Sequence, residues 1–298
     1  MAQRTQCDSG SHGNRRNSMN ISIIGLGLLG GSFALGLKAK GAAVSIIGVD
    51  SNTAHAAEAL KRKLVDKIMP LEHAIAEADV VVLATPVNAI LQLLPTVLDL
   101  LPPKAALMDF GSTKGQLCAV VETHPRRGQF VAMHPIAGTE YSGPEAAFAT
   151  LLEGQTMIIC EREKSDQAAL ARAEKLCHTL GMHLRYMPAA EHDLHFAYVS
   201  HLSHISSFAL GLTVLDKEKN EKNIFDMAGS GFSSTVRLAK SSPQMWGPIF
   251  SQNRENVSEA LAGYIAQLQQ FKDAIDAQDE EQAKALMEKA NDIRRILG

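Results

Sequence analysis

From residue 20 onward the hydrophobic positions change period in a repeating order. Short, mostly apolar runs fall at 21–24, 44–49, 80–85 and 105–109, and 130–134, 156–160 and 183–187 read as later strands. Between them lie helical patterns, one from the turn after residue 24 to about Lys40 and another over 53–63. Strands that are apolar on both faces, alternating with helices, predict an α/β fold with a doubly wound parallel sheet covered on both sides. After Pro188 the strand signals stop. Residues 191–214 read as one long helix, and Leu261, Tyr264, Ile265, Leu268, Phe271 and Ile275 form an apolar stripe at helical spacing. Asp279 and Gln282 resemble a capping pair, and Leu286, Met287, Ala290 and Ile293 continue a second stripe.

This pattern divides the chain into an α/β domain over 19–187 and an all-helical domain over 188–298. Residues 1–18 are polar, hold Arg4, Arg15 and Arg16, and lack an apolar segment, so a disordered tail is expected there. Stripes as long as those of the helical domain predict that it also forms a homodimer interface.

Composition narrows the function. The 298 residues are 46% hydrophobic, enough for two domains. The 29 basic and 32 acidic residues are scattered and leave a net charge of −3, so neither nucleic acid nor an anionic membrane is an expected partner. No apolar run approaches the roughly 18 residues of a membrane span. Cys7, Cys118, Cys160 and Cys177 show no CxxC spacing and read as reduced thiols of a cytoplasmic protein.

Gly25, Gly27 and Gly30 form a GxGxxG turn that follows a strand and opens a helix at Leu28. Gly25 permits the tight turn, Gly27 lets a pyrophosphate approach the backbone, and Gly30 lets helix and strand pack closely. The helix N-terminus then offers free N–H groups to phosphate. Asp50 ends the second strand, 20 residues past Gly30, where its carboxylate can receive the adenosine ribose hydroxyls and repel a 2′-phosphate. A Rossmann-type domain binding NAD rather than NADP is expected. The same architecture also binds S-adenosylmethionine, so the motif alone leaves the chemistry open.

Three further polar turns follow strands at the ligand-binding edge. They carry Thr85 and Pro86, then Ser112, then His134. A histidine near neutral pKa can take a hydroxyl proton while hydride leaves the carbon, and a serine can orient that hydroxyl. The helical domain adds His192, Asp193, His195, His201, His204 and Arg237. The two HxxH pairs point different ways and no HExxH is present, so no metal is expected. His192 and His195 read as surface or capping residues.

Together, residues 25–30, the turn with Ser112 and Lys114, the run from His134 to Glu140, the segment from His192 to His204, and the run from Arg237 to Trp246 resemble the prephenate/arogenate dehydrogenases of tyrosine biosynthesis. The resemblance spans about 19–298 in the family's order. It implies conversion of prephenate and NAD(P) to 4-hydroxyphenylpyruvate, CO2 and NAD(P)H. By motif, His134 polarises the ring hydroxyl with Ser112 beside it, and Arg237 binds a substrate carboxylate. His204 and His201 hold the substrate, with Thr139 and Glu140 at the cleft mouth. The family's helical domain dimerises. The chain departs from many relatives at Ser234, where they carry an acidic residue. The stretch 228–236 has no acidic residue, and Ser233 and Ser234 are expected to suit the keto group of prephenate better than the ammonium of arogenate. A β-hydroxyacid dehydrogenase and a non-catalytic NAD(H) sensor are the competing readings. The first uses a helical lysine as its acid/base group, and the second has no need of Ser112, His134 and Arg237 together.

Overall fold

The computed structural model describes residues 19–297 except 43, 220 and 222; the expected tail over 1–18 lies outside the described residues. Eight strands form one sheet: β1 Met19–Ile24, β2 Val44–Val49, β3 Lys67–Ile68, β4 Val80–Leu83, β5 Ala106–Asp109, β6 Phe130–Pro135, β7 Thr156–Cys160 and β8 His183–Met187. Their order is β3-β2-β1-β4-β5-β6-β7-β8, and every pair is parallel except β6 with β7. The chain reverses between β1–β2 and β4, which opens a crevice at the carboxyl ends of β1 and β4.

Successive residues of the apolar strands point to opposite faces, so each strand feeds two cores. Val80 and Val82 join Ile21 and Ile23 under α1 (Leu28–Ala39), α2 (Thr53–Lys61) and α6 (Gln167–Thr179). Val81 and Leu83 join Leu107 and Ala132 under α3 (Leu71–Ala76), α4 (Val87–Leu100) and α5 (Gly115–Val120). The two-residue β3, with one residue half-buried and one exposed, was too short to leave a periodic signal.

Beyond β8 the chain is helical: α7 Ala189–Phe196, α8 Leu202–Glu218, α9 Ser230–Thr235, α10 Pro243–Gln252, α11 Arg254–Asp276, α12 Glu280–Ala290 and α13 Arg294–Leu297. Glu161, just after β7, caps the start of α7 by accepting from Ala189 N at 2.9 Å. The long helix expected over 191–214 is real but not uniform. A π-turn at Ala197–His201 separates α7 from α8, with Leu202 N–H reaching back to the Ala197 carbonyl. Asp279 caps α12 by accepting from Gln282 N at 2.9 Å. Trp246 and Ile249 of α10 pack on Val87, the first residue of α4, and so tie the helical part to the crevice.

The helical stripes are not a core within one chain. Ile265, Leu268 and Ile275 of α11 are each at least half exposed, as are Leu212 of α8 and Met287 of α12. Among the described residues, no helix is long and apolar enough to cross a membrane.

Beneath the sheet edge lies an ion pair between Lys114 and Asp109, both fully buried. The Asp109 carboxylate also accepts from Gly111 N at 2.8 Å and from Met133 N at 3.1 Å, which joins the end of β5 to β6. Removing one member of such a pair strands the other charge in a medium that solvates it poorly. Asp109→Ala is therefore expected to cost about 3–5 kcal/mol, read as the shift in the urea midpoint, whereas Asp109→Leu combined with Lys114→Met restores most of that loss. A single variant as stable as the parent would contradict this.

Candidate active site

The glycine turn is held from both sides. Gly25 has φ +98°, a conformation that side chains rarely adopt, and its N–H donates to Val49 O at 2.9 Å. A side chain at Gly30 would collide with the Gly25 carbonyl at 2.1 Å, so only glycine lets α1 start this close to β1. At Gly27 a Cβ would meet no atom within 4 Å, so the space beside it is open to a ligand. No acidic side chain stands in the first turn of α1, which leaves its N-terminus free for an anion. Asp50 accepts from Leu26 N and Asn52 N, both at 2.9 Å, so the carboxylate braces the turn from the end of β2. Thr85 Oγ1 is buried at the rim of the same crevice without a partner among the described residues. These features fit a dinucleotide, with Gly25, Gly27, Leu28, Gly30, Asp50, Thr85 and Pro86 as the residues that would hold it.

A cleft of about 560 Å³ runs from this turn to the helical domain. It brings together every site residue expected from the sequence except Gly25, Gly30 and Asp50, which do not line it. Ser112 follows β5 and His134 lies within β6; both line the cleft, with no hydrogen bond recorded between them. His134 is 9% exposed, and its Nδ1 lies 2.8 Å from Nε2 of His192. Burial, then His192, Lys114 and His201, hold the pKa of His134 well below the ordinary histidine range, so it is neutral.

The far wall comes from the helical domain. His201 ends the π-turn, fully buried, with Nδ1 3.2 Å from Nδ2 of Asn253. Its pKa is pushed down to about 4, first by burial and then by His192 and His204, against the opposing pull of Asp193. His204 stacks on Trp246 at 3.5 Å between ring centroids. Its Nδ1 donates to Ser200 O at 2.9 Å, so its Nε2 carries a lone pair. Burial and the Arg237 guanidinium lower its pKa, although the Ser200 carbonyl opposes them. Arg237 is exposed and has no ion-pair partner among the described residues. Thr139 and Glu140 line the cleft from the loop after β6, with Thr139 Oγ1 accepting from Tyr141 N at 3.2 Å. Trp246 Nε1 is buried without a partner on the same wall.

Some expectations need correction. His192 is not a surface residue but completely buried, whereas His195 is exposed beside Glu191. Ser233 and Ser234 do not line the cleft; Ser241 and Ser242 do. Asn253 and Trp246 were missed as site residues. Only their place in the fold brings them to the cleft and the histidines around it, and an isolated Asn between helices or Trp within one carries no such signal.

Comparison with known proteins agrees with this geometry. Residues 33–186 match the model for the prephenate dehydrogenase nucleotide-binding domain, and residues 188–289 match the model for the prephenate dehydrogenase dimerization domain. The chain is 30% identical to prephenate dehydrogenase of Bacillus subtilis over 92% of this chain and 75% of that protein. It superimposes on prephenate dehydrogenase of Aquifex aeolicus in complex with hydroxyphenyl propionate and NAD+ with a TM-score of 0.86 and 32% identity, covering 96% of this chain and all of that one. Arogenate dehydrogenase of Synechocystis follows at a TM-score of 0.74 and 26% identity, over 94% of this chain and all of the other.

The different surroundings of two glycines make a test. Gly27→Ala adds a methyl to open space and is expected to shift stability by no more than about 0.5 kcal/mol while weakening dinucleotide binding at least tenfold in a fluorescence titration. Gly30→Ala is expected to unfold the domain margin instead, seen as a lower Tm. Unchanged dinucleotide affinity in Gly27→Ala would remove the open space from the binding site.

Proposed function

The chain belongs to the prephenate dehydrogenase family, and from that premise we propose that it oxidises and decarboxylates prephenate to 4-hydroxyphenylpyruvate with NAD. The observation that carries this reading is a neutral, buried His134 in the wall of a cleft that also contains the Arg237 guanidinium, unpaired among the described residues, and adjoins the glycine turn.

The proposed roles follow from the chemistry of the residues. Arg237 offers a planar fork of donors to a substrate carboxylate. Ser112 orients the ring hydroxyl, and His134 takes its proton as the ring carbon is oxidised. When bound at the glycine turn, NAD would supply the acceptor for the hydride that leaves that carbon. The C–C bond to the ring carboxylate then breaks, CO2 departs, and the proton returns from His134 to the oxygen as the ring becomes aromatic. Exclusion of water by Phe196, Trp246 and Ile249 strengthens each polar contact in the cleft. Asp50 at the end of β2 favours NAD, because a 2′-phosphate would face a carboxylate.

Glu140 is the one carboxylate lining the cleft among the described residues, and Asp226 lies off it. This scarcity of negative charge supports prephenate over arogenate, whose ammonium would need a partner. One observation favours arogenate as a second substrate: the bare Nε2 of His204 suits a donor such as that ammonium. Absorbance at 340 nm, with both substrates against NAD and NADP, tests the reading. Prephenate with NAD is expected to give the highest kcat/KM. No turnover of prephenate would overturn the proposal, and a higher value for arogenate would select the second reading.

The proposed enzyme works in the cytoplasm, consistent with free, buried Cys118, Cys160 and Cys177, and as a homodimer. Its α/β domain spans 19–187 and its helical domain 188–298, the latter covering its exposed stripes with a second copy. Light scattering is expected to give twice the 32.1 kDa chain mass, and a stable monomer at micromolar concentration would contradict the dimer.

A further inference from the structure

The fully buried His192 has no place in the roles above, yet its two ring nitrogens are both engaged. Its Nδ1 lies 2.8 Å from Oδ1 of Asp193, and its Nε2 lies 2.8 Å from Nδ1 of His134. Asp193 is 6% exposed and accepts two backbone bonds besides, from Lys114 N at 2.8 Å and Gly115 N at 2.7 Å. Burial alone would raise the pKa of that carboxyl, but His192 and the two amides outweigh it and the pKa is lowered. Asp193 is therefore ionised and can only accept.

Proton counting then fixes the whole chain. Because Asp193 accepts, His192 must carry its proton on Nδ1. Neutral His192 then has a lone pair on Nε2, so the proton between the two imidazoles belongs to Nδ1 of His134. That leaves Nε2 of His134 unprotonated. We propose that His192 and Asp193, both on α7 of the helical domain, are positioning residues that hold His134 of the α/β domain in the Nδ1–H tautomer and share the charge it gains. The proposal rests on the reading of His134 as the proton acceptor.

The step balances without any added reactant. The substrate O–H bond breaks, an N–H bond forms at Nε2 of His134, and the electron pair of the O–H bond stays on oxygen. The imidazolium so formed points its Nδ1–H at His192 Nε2, and His192 in turn points at a carboxylate. The charged and titratable groups around this chain are Lys114, Asp109, Asp193, His201 and His192 itself. With the three histidines neutral they carry one net negative charge, and proton uptake by His134 brings the cluster to zero. Burial makes His134 a weak base, and the Asp193 carboxylate, reached through His192, opposes that cost as the proton arrives. Phe196, stacked on His192 at 4.5 Å between centroids, keeps the ring from turning away.

The test has one readout independent of turnover. In 15N spectra of the full-length protein near pH 7.5, His134 should show a protonated Nδ1 and a bare Nε2. The opposite tautomer in the parent protein would overturn the proposal whatever the substrate proves to be. Kinetics supply the second readout. His192→Phe removes the acceptor, and kcat is expected to fall about 100-fold or more with KM for both substrates nearly unchanged. His192→Gln keeps an oxygen that can accept from Nδ1–H, and should recover at least tenfold of that loss. Asp193→Asn removes the negative charge that supports the imidazolium and should move the acidic limb of the kcat profile to lower pH, whereas a purely structural role would lower kcat at all pH values alike. Equal kcat in His192→Phe and the parent, or no advantage of Gln over Phe in folded variants, would sink the relay. Failure of the parent to oxidise prephenate while the tautomer stands as stated would reject the substrate and not the relay.

Discussion

Lys114 is the point at which the two parts of the molecule meet. Its ammonium is buried beside Asp109, and its own backbone N–H is taken by Asp193 of α7. An ammonium out of reach of water makes its counter-ion obligatory, so the turn after β5 has little freedom. The same Asp109 carboxylate holds Met133 N, the residue before His134. The turn with Ser112, the strand with His134 and the first helix of the second domain are thus fixed by one lysine through two different groups. Geometry at a proton-transfer site needs tolerance well under an ångström, and buried ionic contacts of this kind supply it better than apolar packing, which is indifferent to direction.

The helical domain contributes orientation as well as surface. Asn253 uses both hydrogens of one amide nitrogen, donating to the Asp193 carbonyl at 2.6 Å and to Nδ1 of His201. His201 must then carry its own proton on Nε2, while His204, tied through Nδ1 to Ser200 O, carries a lone pair there. Two histidines one turn apart therefore offer the cleft a donor and an acceptor, although their sequence surroundings are alike. Both remain uncharged near neutral pH because burial opposes protonation, which leaves Arg237 as the cation on that wall.

Most of the α/β architecture was legible because it rests on local rules. Mostly apolar runs placed the strands other than β3, and the spacing of Gly25, Gly27 and Gly30 placed the turn. The antiparallel direction of β7 was not legible, although the strand itself was, since a strand buried on both faces reads the same either way. His134, Ser112 and Arg237 were visible because they sit in motifs at strand ends or in a recognisable run. His192 was misread because an Asp follows it and a helix holds it, which describes many solvated histidines. Its burial depends on β6 and α5 arriving from elsewhere. The α11 stripe was legible as a stripe, and its length pointed to an interface, but nothing along the chain says which of its residues the domain leaves open.

The π-turn at Ala197–His201 amounts to one extra residue in a helix that would otherwise run straight from α7 into α8. Each residue of an α-helix advances roughly 100° about the axis. The π-turn takes up that extra residue within itself, so loss of a single codon in this segment would let it close into regular α-helix and leave His204 in nearly the same phase relative to His192. The same loss anywhere else between the two histidines would swing His204 and everything beyond it by more than a quarter turn. The π-turn is therefore the one stretch of this run where the chain can change length by a residue and keep its direction.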